Sequence, residues 1–89
     1  MRKPVRFSSH AKQKFRILTQ HGVVIKREQV ILTVLNPEKQ EIARKGRKLA
    51  QRGLDRTRVL RVVYEDRDND LLVVTFYPGR RDRYEGELQ

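Results

Sequence analysis

Two runs of β-branched and aromatic residues flank a polar cluster between positions 59 and 77, and the rest of the chain is organised around this stretch. Apolar runs separated by Asp, Arg and Asn are typical of a β-hairpin. The alternation predicts that Asp66 lies opposite Asp70 across a three-residue loop, because this register collects the apolar side chains on one face. Asn69 suits the left-handed position that closes such a loop. The paired residues in this register are Tyr64 with Leu72, Val62 with Val74, and Leu60 with Phe76.

The other face of the predicted hairpin carries polar side chains among its valines. Its residues are Arg61, Val63, Val73, Thr75 and Tyr77. We expect Arg61 and Thr75 to be near neighbours, with Tyr77 one position further along. Aromatic rings beside arginine can stack an unpaired base while the cation holds its phosphate. The sequence leaves open the alternative that Arg61 forms a cross-strand ion pair and Tyr77 only covers the sheet.

The residues before the hairpin predict one short strand and two helices. Residues 5–7 form the strand, and Ser8 or Ser9 caps a helix over residues 10–20. Apolar residues in this helix recur at i, i+4 and i+7, and Gly22 ends it. The pattern predicts a second, apolar helix over residues 26–35.

The second helix ends at Asn36-Pro37, because proline and the residue before it disfavour helix. Residues 38–44 follow as an edge strand, and residues 47–52 are either a strand or a loop, since periodicity does not decide. Pro78-Gly79 ends the last strand. We expect residues 1–89 to form one domain, in which residues 79–89 are a mobile tail.

Positive charge is concentrated in the first two-thirds of the chain. The formal net charge is +10, and residues 1–57 hold 15 basic against 4 acidic side chains, whereas residues 58–89 hold 6 against 7. A field of this kind attracts nucleic acid, an anionic membrane or an acidic protein. The densest basic tract, residues 45–58, contains four candidate phosphate contacts: Lys45, Arg47, Lys48 and Arg52.

The composition also restricts the compartment and the chemistry. The chain has no cysteine, no apolar run of membrane-spanning length and no signal-peptide pattern at its N-terminus, which indicates a soluble cytoplasmic protein. It has no phosphate-binding glycine loop, metal motif or nucleophile triad. The remaining Arg, Lys, Tyr and His suit phosphate binding, or RNA cleavage in which the 2′-hydroxyl is the nucleophile. His10 is either structural or catalytic.

Several short motifs resemble those of a known family. They are Ser-Ser-His10-Ala11 at the start of the first helix, Gly22, Asn36-Pro37-Glu38 after the second helix, and the two strands at residues 60–64 and 72–77. With the element order strand, helix, helix and then strands, the chain resembles small proteins grouped near the RelE/ParE toxin superfamily, close to BrnT-type toxins.

The resemblance implies an α+β, RelE/ParE-like fold of order β-α-α-β-β-β. Two N-terminal helices would pack on one face of a twisted antiparallel sheet of three to four strands. It also implies the toxin of a toxin–antitoxin system, which binds RNA or the ribosome, is silenced by a cognate antitoxin, and cleaves mRNA without metal or cofactor. The candidate catalytic residues are Arg61, Tyr77, Arg80 and His10, and Arg81 and Tyr84 join the RNA contacts. A non-catalytic binding module and a ParE-like topoisomerase inhibitor are the alternatives, and an exposed edge strand predicts a homodimer.

Overall fold

A computed structural model of the protein describes residues 3–85, which form five strands and three α-helices. The elements in chain order are β1 (Val5–Phe7), α1 (Ser9–Gln20), α2 (Arg27–Leu35), β2 (Lys39–Ile42), β3 (Lys48–Gly53), β4 (Arg58–Asp66), β5 (Leu71–Arg80) and α3 (Arg81–Glu85), with a 3-10 turn at Arg44–Gly46 between β2 and β3. The predicted strand at residues 5–7 is confirmed, and both predicted helices are confirmed to within a residue. No helix in residues 3–85 combines the length and the apolar character that a membrane crossing needs.

The strands form one mixed sheet in the order β1-β5-β4-β3-β2. The predicted RelE/ParE-like fold, with an antiparallel sheet of three to four strands below two helices, is therefore wrong. β1 lies parallel to β5 at one edge, so that Val5 pairs with Leu71, and a third helix follows the last strand. The prediction failed because β1 is short and pairs with the strand most distant from it in sequence, a contact that no local pattern encodes.

The β4–β5 hairpin forms, but its predicted register is wrong. Asp66 lies opposite Leu71, and four residues form the loop. Arg67 closes that loop by donating its backbone N–H to the Asp70 carbonyl oxygen and two guanidinium hydrogen bonds to the Asp70 carboxylate. Because Asp70 is used in this way, it is not a strand partner of Asp66. Asn69 does not have positive φ; within residues 3–85 the non-glycine residue that has it is Lys45, at φ 60°.

A β-bulge between the Val63 and Tyr64 pairs then shifts the register of β5. Val62 lies opposite Phe76, and Val73 rather than Val74 enters the core. Ser8 accounts for the irregularity: its N–H donates to the Val73 carbonyl oxygen at 3.0 Å and its hydroxyl donates to the Val74 carbonyl oxygen at 3.0 Å.

Helices α1 and α2 cover one face of the sheet. The Ser8 hydroxyl caps α1 by accepting a hydrogen bond from the Ala11 N–H, and Gly22, with φ 81°, follows its last turn. The guanidinium of Arg52 donates to the Asn36 carbonyl oxygen at the end of α2. The core between helices and sheet contains Phe7, Ala11, Ile25, Val30, Val34, Ala50, Leu60, Val62, Tyr64, Val73 and Phe76.

The C-terminal part of the described chain also differs from the prediction. β5 continues past Pro78 to Arg80, and α3 follows at once where a tail was expected. Residues 86–89 of that tail lie outside the described residues. Periodicity left residues 47–52 open between a strand and a loop. A strand forms there over residues 48–53 and pairs with both β2 and β4.

The bulge predicts that substitutions at two adjacent valines destabilise the protein to different extents. Val73 is 0 % exposed and Val74 is half-buried, so we expect Val73→Ala to lower the free energy of unfolding by about 2 kcal/mol and Val74→Ala by less than about 1 kcal/mol. Urea unfolding of the two variants measures this difference. A larger loss for Val74→Ala would contradict the bulge and restore the register expected from alternation.

Candidate functional site

The face of the sheet opposite α1 and α2, here called the open face, is centred on Arg61. By alternation along β4, Arg61 lies on the opposite side from the core residues Leu60 and Val62. It stands directly across from Tyr77 on β5 and from Gln51 on β3. The predicted pairing of Arg61 with Thr75 is wrong by one position along the face, as the bulge requires.

The Arg61 guanidinium is buried, since the residue is only 6 % exposed, and each of its nitrogens has a polar partner. Its Nε donates to the Tyr77 hydroxyl at 3.1 Å, its Nη1 donates to the Gln51 side-chain oxygen, and its Nη2 lies 3.7 Å from a carboxylate oxygen of Glu41. A buried cation requires such partners, because an unpaired charge away from water is strongly destabilising.

Helix α3 closes the open face above Arg61. The Tyr84 ring lies over the guanidinium, with its centroid 4.0 Å from Cζ. The approach depends on Gly79, since a Cβ at this position would overlap the Tyr84 ring. Sequence reasoning placed Arg61 and Tyr77 on one face, with Tyr84 in a tail beyond it. The structure joins all three as a packing cluster in which each Arg61 guanidinium nitrogen has a partner.

A second group of arginines forms an exposed depression at the end of the hairpin where α3 begins. This depression, here called the arginine pocket, has a volume of about 540 Å³ and is lined by Arg56, Thr57, Arg58, Arg80, Arg81 and Asp82. It thus brings together two predicted residues, Arg80 and Arg81, with Arg56 and Arg58, which the sequence analysis did not select as site residues. Arg56 and Arg58 could have been selected as site residues only from the observed register of β4 and β5, in which Arg58 lies opposite Arg80.

Hydrogen bonds fix most of the pocket wall. Asp55 accepts two hydrogen bonds from the Arg58 guanidinium, at 2.9 and 2.7 Å. Arg81 donates its Nε–H to the Asp55 carbonyl oxygen and its backbone N–H to the Thr57 carbonyl oxygen. Arg80 pairs with Asp82 at 2.7 Å.

The arginine pocket retains positive charge. Arg56 is exposed and forms no ion pair within the described part of the chain. The Arg56 guanidinium therefore adds to the pocket a positive charge that no carboxylate of residues 3–85 pairs with.

The remaining predicted site residues are dispersed. His10 is exposed on α1, on the other side of the sheet from Arg61, so the structure does not bring it to the predicted catalytic group. Lys45 lies in the turn between β2 and β3. Arg47 pairs with Glu65, Lys48 pairs with Asp66, and Arg52 binds the end of α2. Within residues 3–85, no group of three or more His, Asp or Glu side chains is placed to hold a metal ion.

Three carboxyl groups at the strand ends and in the loops between strands have lowered pKa values. The hydrogen bond from Arg58 is the main cause for Asp55, and the one from Arg67 is the main cause for Asp70. Hydrogen bonds from Lys3 and Lys48 lower the pKa of Asp66. The hydrogen bond between Lys48 and Asp66 also raises the pKa of Lys48. These carboxylates are therefore held in the charged form, where they keep the neighbouring cations in fixed positions.

Acid should destabilise the protein through these groups. The pKa values of these carboxyl groups are lower in the folded protein than the ordinary value of 3.8. Their contribution to the stability of the folded state is therefore complete above pH 3.8 and is lost as the pH falls through the folded pKa. We expect the Tm to fall between about pH 5 and pH 2. Asp70→Asn should lower the Tm at pH 7 and flatten this acid dependence.

The control for this variant is Asp68→Asn, since Asp68 is exposed and forms no ion pair in the part of the chain described. Thermal melts over a pH series compare the two variants. An Asp68→Asn curve that matches that of Asp70→Asn would show that the hairpin-loop pair does not cause the dependence.

Comparison of the chain with protein-family models, with curated proteins and with solved structures finds no match.

Proposed function

We propose that this protein binds RNA through the arginine pocket. The observation that carries the proposal is the position of Arg58 directly opposite Arg80, with Arg56 and Arg81 lining the same depression. Each of these two opposed arginines already pairs with one carboxylate, which holds its guanidinium in place. A bound phosphate would accept further hydrogen bonds from the guanidinium groups of the pocket, whose planar shape matches its oxygens in a bidentate geometry.

The charge of the whole chain supports a polyanionic ligand. A net charge of +10 on 89 residues raises the local concentration of nucleic acid and speeds its association. Single-stranded RNA fits better than duplex DNA, because α2 turns Val30, Thr33 and Val34 into the core and offers no recognition helix for a groove. The proposal includes the role implied by the resemblance, a toxin that acts in the cytoplasm on RNA or the ribosome and has an antitoxin as partner.

Metal-independent RNA cleavage is the second candidate function. It is favoured by the contact between Arg61 and the Tyr77 hydroxyl at 3.1 Å, which places a cation next to a group able to transfer a proton. RNA would reach this pair only after Tyr84 left the guanidinium that it covers. Binding at the arginine pocket requires no such movement, and we therefore prefer binding as the function.

Removal of two exposed arginines tests the pocket. We expect Arg56→Ala combined with Arg80→Ala to weaken binding of a labelled single-stranded RNA by about 10- to 100-fold, or ~1.5–3 kcal/mol, because two charged hydrogen-bond donors are lost. The magnitude of the slope of log K against log salt should decrease by about 1.4, since two phosphate contacts disappear and each contributes about 0.7 on a single strand. Fluorescence anisotropy over a salt series measures both quantities.

The matched control combines Lys14→Ala with Arg16→Ala on α1, which removes the same charge elsewhere. Neither residue forms an ion pair within residues 3–85. An equal loss of affinity in the control would show that net charge alone drives binding, and would contradict the assignment to the arginine pocket.

Cleavage is tested separately, with the same RNA and with translating ribosomes in EDTA. We expect the parent protein to bind RNA and leave it intact, because the Arg61 donors are occupied and Tyr84 covers them. Tyr77→Phe serves as the control, since it removes only the hydroxyl. Cleavage by the parent that Tyr77→Phe abolishes would overturn this expectation and establish the second candidate function.

A further inference from the structure

A second basic depression lies at the β1 edge of the sheet. Its volume is about 320 Å³, and the described residues that line it are Val5, Arg6, Phe7, Lys12, Arg27 and Leu72. It combines three cations with three apolar residues at the sheet edge, and none of the lining residues is acidic. It lies far from the arginine pocket, because Leu72 and Arg80 are eight positions apart on β5, a separation of roughly 26 Å.

The cations around this depression have few acidic partners. The first acidic residue of the chain is Glu28, and eight basic residues precede it. Arg6 lies 3.3 Å from a carboxylate oxygen of Asp70, whereas Lys12 and Arg27 form no ion pair within residues 3–85. On the sheet, by contrast, lysines and arginines are paired with Glu41, Asp55, Glu65 and Asp66. Lys12 and Arg27 are therefore two unneutralised cations at this depression.

Arg27 is held in position by an aromatic ring. Its Cζ lies 4.6 Å from the centroid of the Phe7 ring, a cation–π distance, while the residue itself stays exposed. The Phe7 ring is in turn anchored in the core against Phe15, at a centroid distance of 5.6 Å. A guanidinium supported in this way is partly immobilised before any ligand arrives, and guanidinium planes are platforms on which unpaired bases stack.

We propose that this depression is a nucleotide subsite for single-stranded RNA. Arg27 stacks on the base, and Lys12 and Arg6 hold the adjoining phosphate. The inference rests on the proposed RNA-binding function and extends it to a second contact. One strand of about 4–16 nucleotides, the usual site size of single-strand binders, then touches both depressions.

Two substitutions at Arg27 separate stacking from charge. We expect Arg27→Ala and Arg27→Lys each to weaken binding of a labelled 12-nucleotide RNA about tenfold, because the ammonium group of lysine keeps the charge but has no plane to stack on a base. Lys14→Ala removes one charge from α1 outside the depression and should weaken binding about twofold. Thermal melts confirm that each variant is folded.

The outcomes distinguish failure of this inference from failure of the proposed function. Parent-like affinity of Arg27→Lys would overturn the stacking site, as would an Arg27→Ala loss equal to that of Lys14→Ala. If either result accompanies the expected loss in the arginine-pocket variant, RNA binding stands and only the second contact is refuted. Absence of RNA binding by the parent refutes both, and tight binding of polyglutamate in its place would identify an acidic protein as the ligand.

Discussion

The buried guanidinium of Arg61 is the interaction on which the open face of this protein depends. A cation that is 6 % exposed is tolerable only when its donors are satisfied, and here the partners come from three strands: Glu41 on β2, Gln51 on β3 and Tyr77 on β5. Tyr84 adds a ring from α3. One side chain thus ties four strands and a helix together, and the helix so docked supplies one wall of the arginine pocket.

Local pattern was sufficient for the elements and insufficient for their arrangement. Residues 5–7, both helices and the hairpin could be predicted because capping, periodicity and β-branched runs act over a few positions. The mixed sheet could not, since three residues of β1 carry no signal for a parallel partner 66 positions away, as in the pairing of Val5 with Leu71. The bulge could not be predicted either. Ser8 donates hydrogen bonds to the carbonyl oxygens of Val73 and Val74, but in the sequence it has only the pattern of an ordinary helix cap.

In the candidate site, too, the sequence predicted which residues share a face but not how they are arranged. Alternation correctly placed Arg61 and Tyr77 on one face, but it could not show that Arg61 is buried, because Gln51 belongs to a strand whose existence the pattern left open. Arg56 and Arg58 were visible only as members of a basic tract. Their convergence with Arg80 follows from a register set by the bulge and the Arg67–Asp70 loop, and register is a property of paired strands rather than of either sequence alone.

The pairing of the first strand with the last has a consequence for the timing of folding. Contacts between distant parts of a chain form late, because the entropy of closing the long intervening loop must be overcome first. During synthesis β1, α1 and α2 emerge before β5, so Phe7 cannot pair with Val73 until β5 has been made. The depression at the β1 edge includes Leu72, so it cannot exist on a nascent chain that ends before that residue. This surface therefore forms only after Leu72 has been translated, well after the helices that supply its other wall.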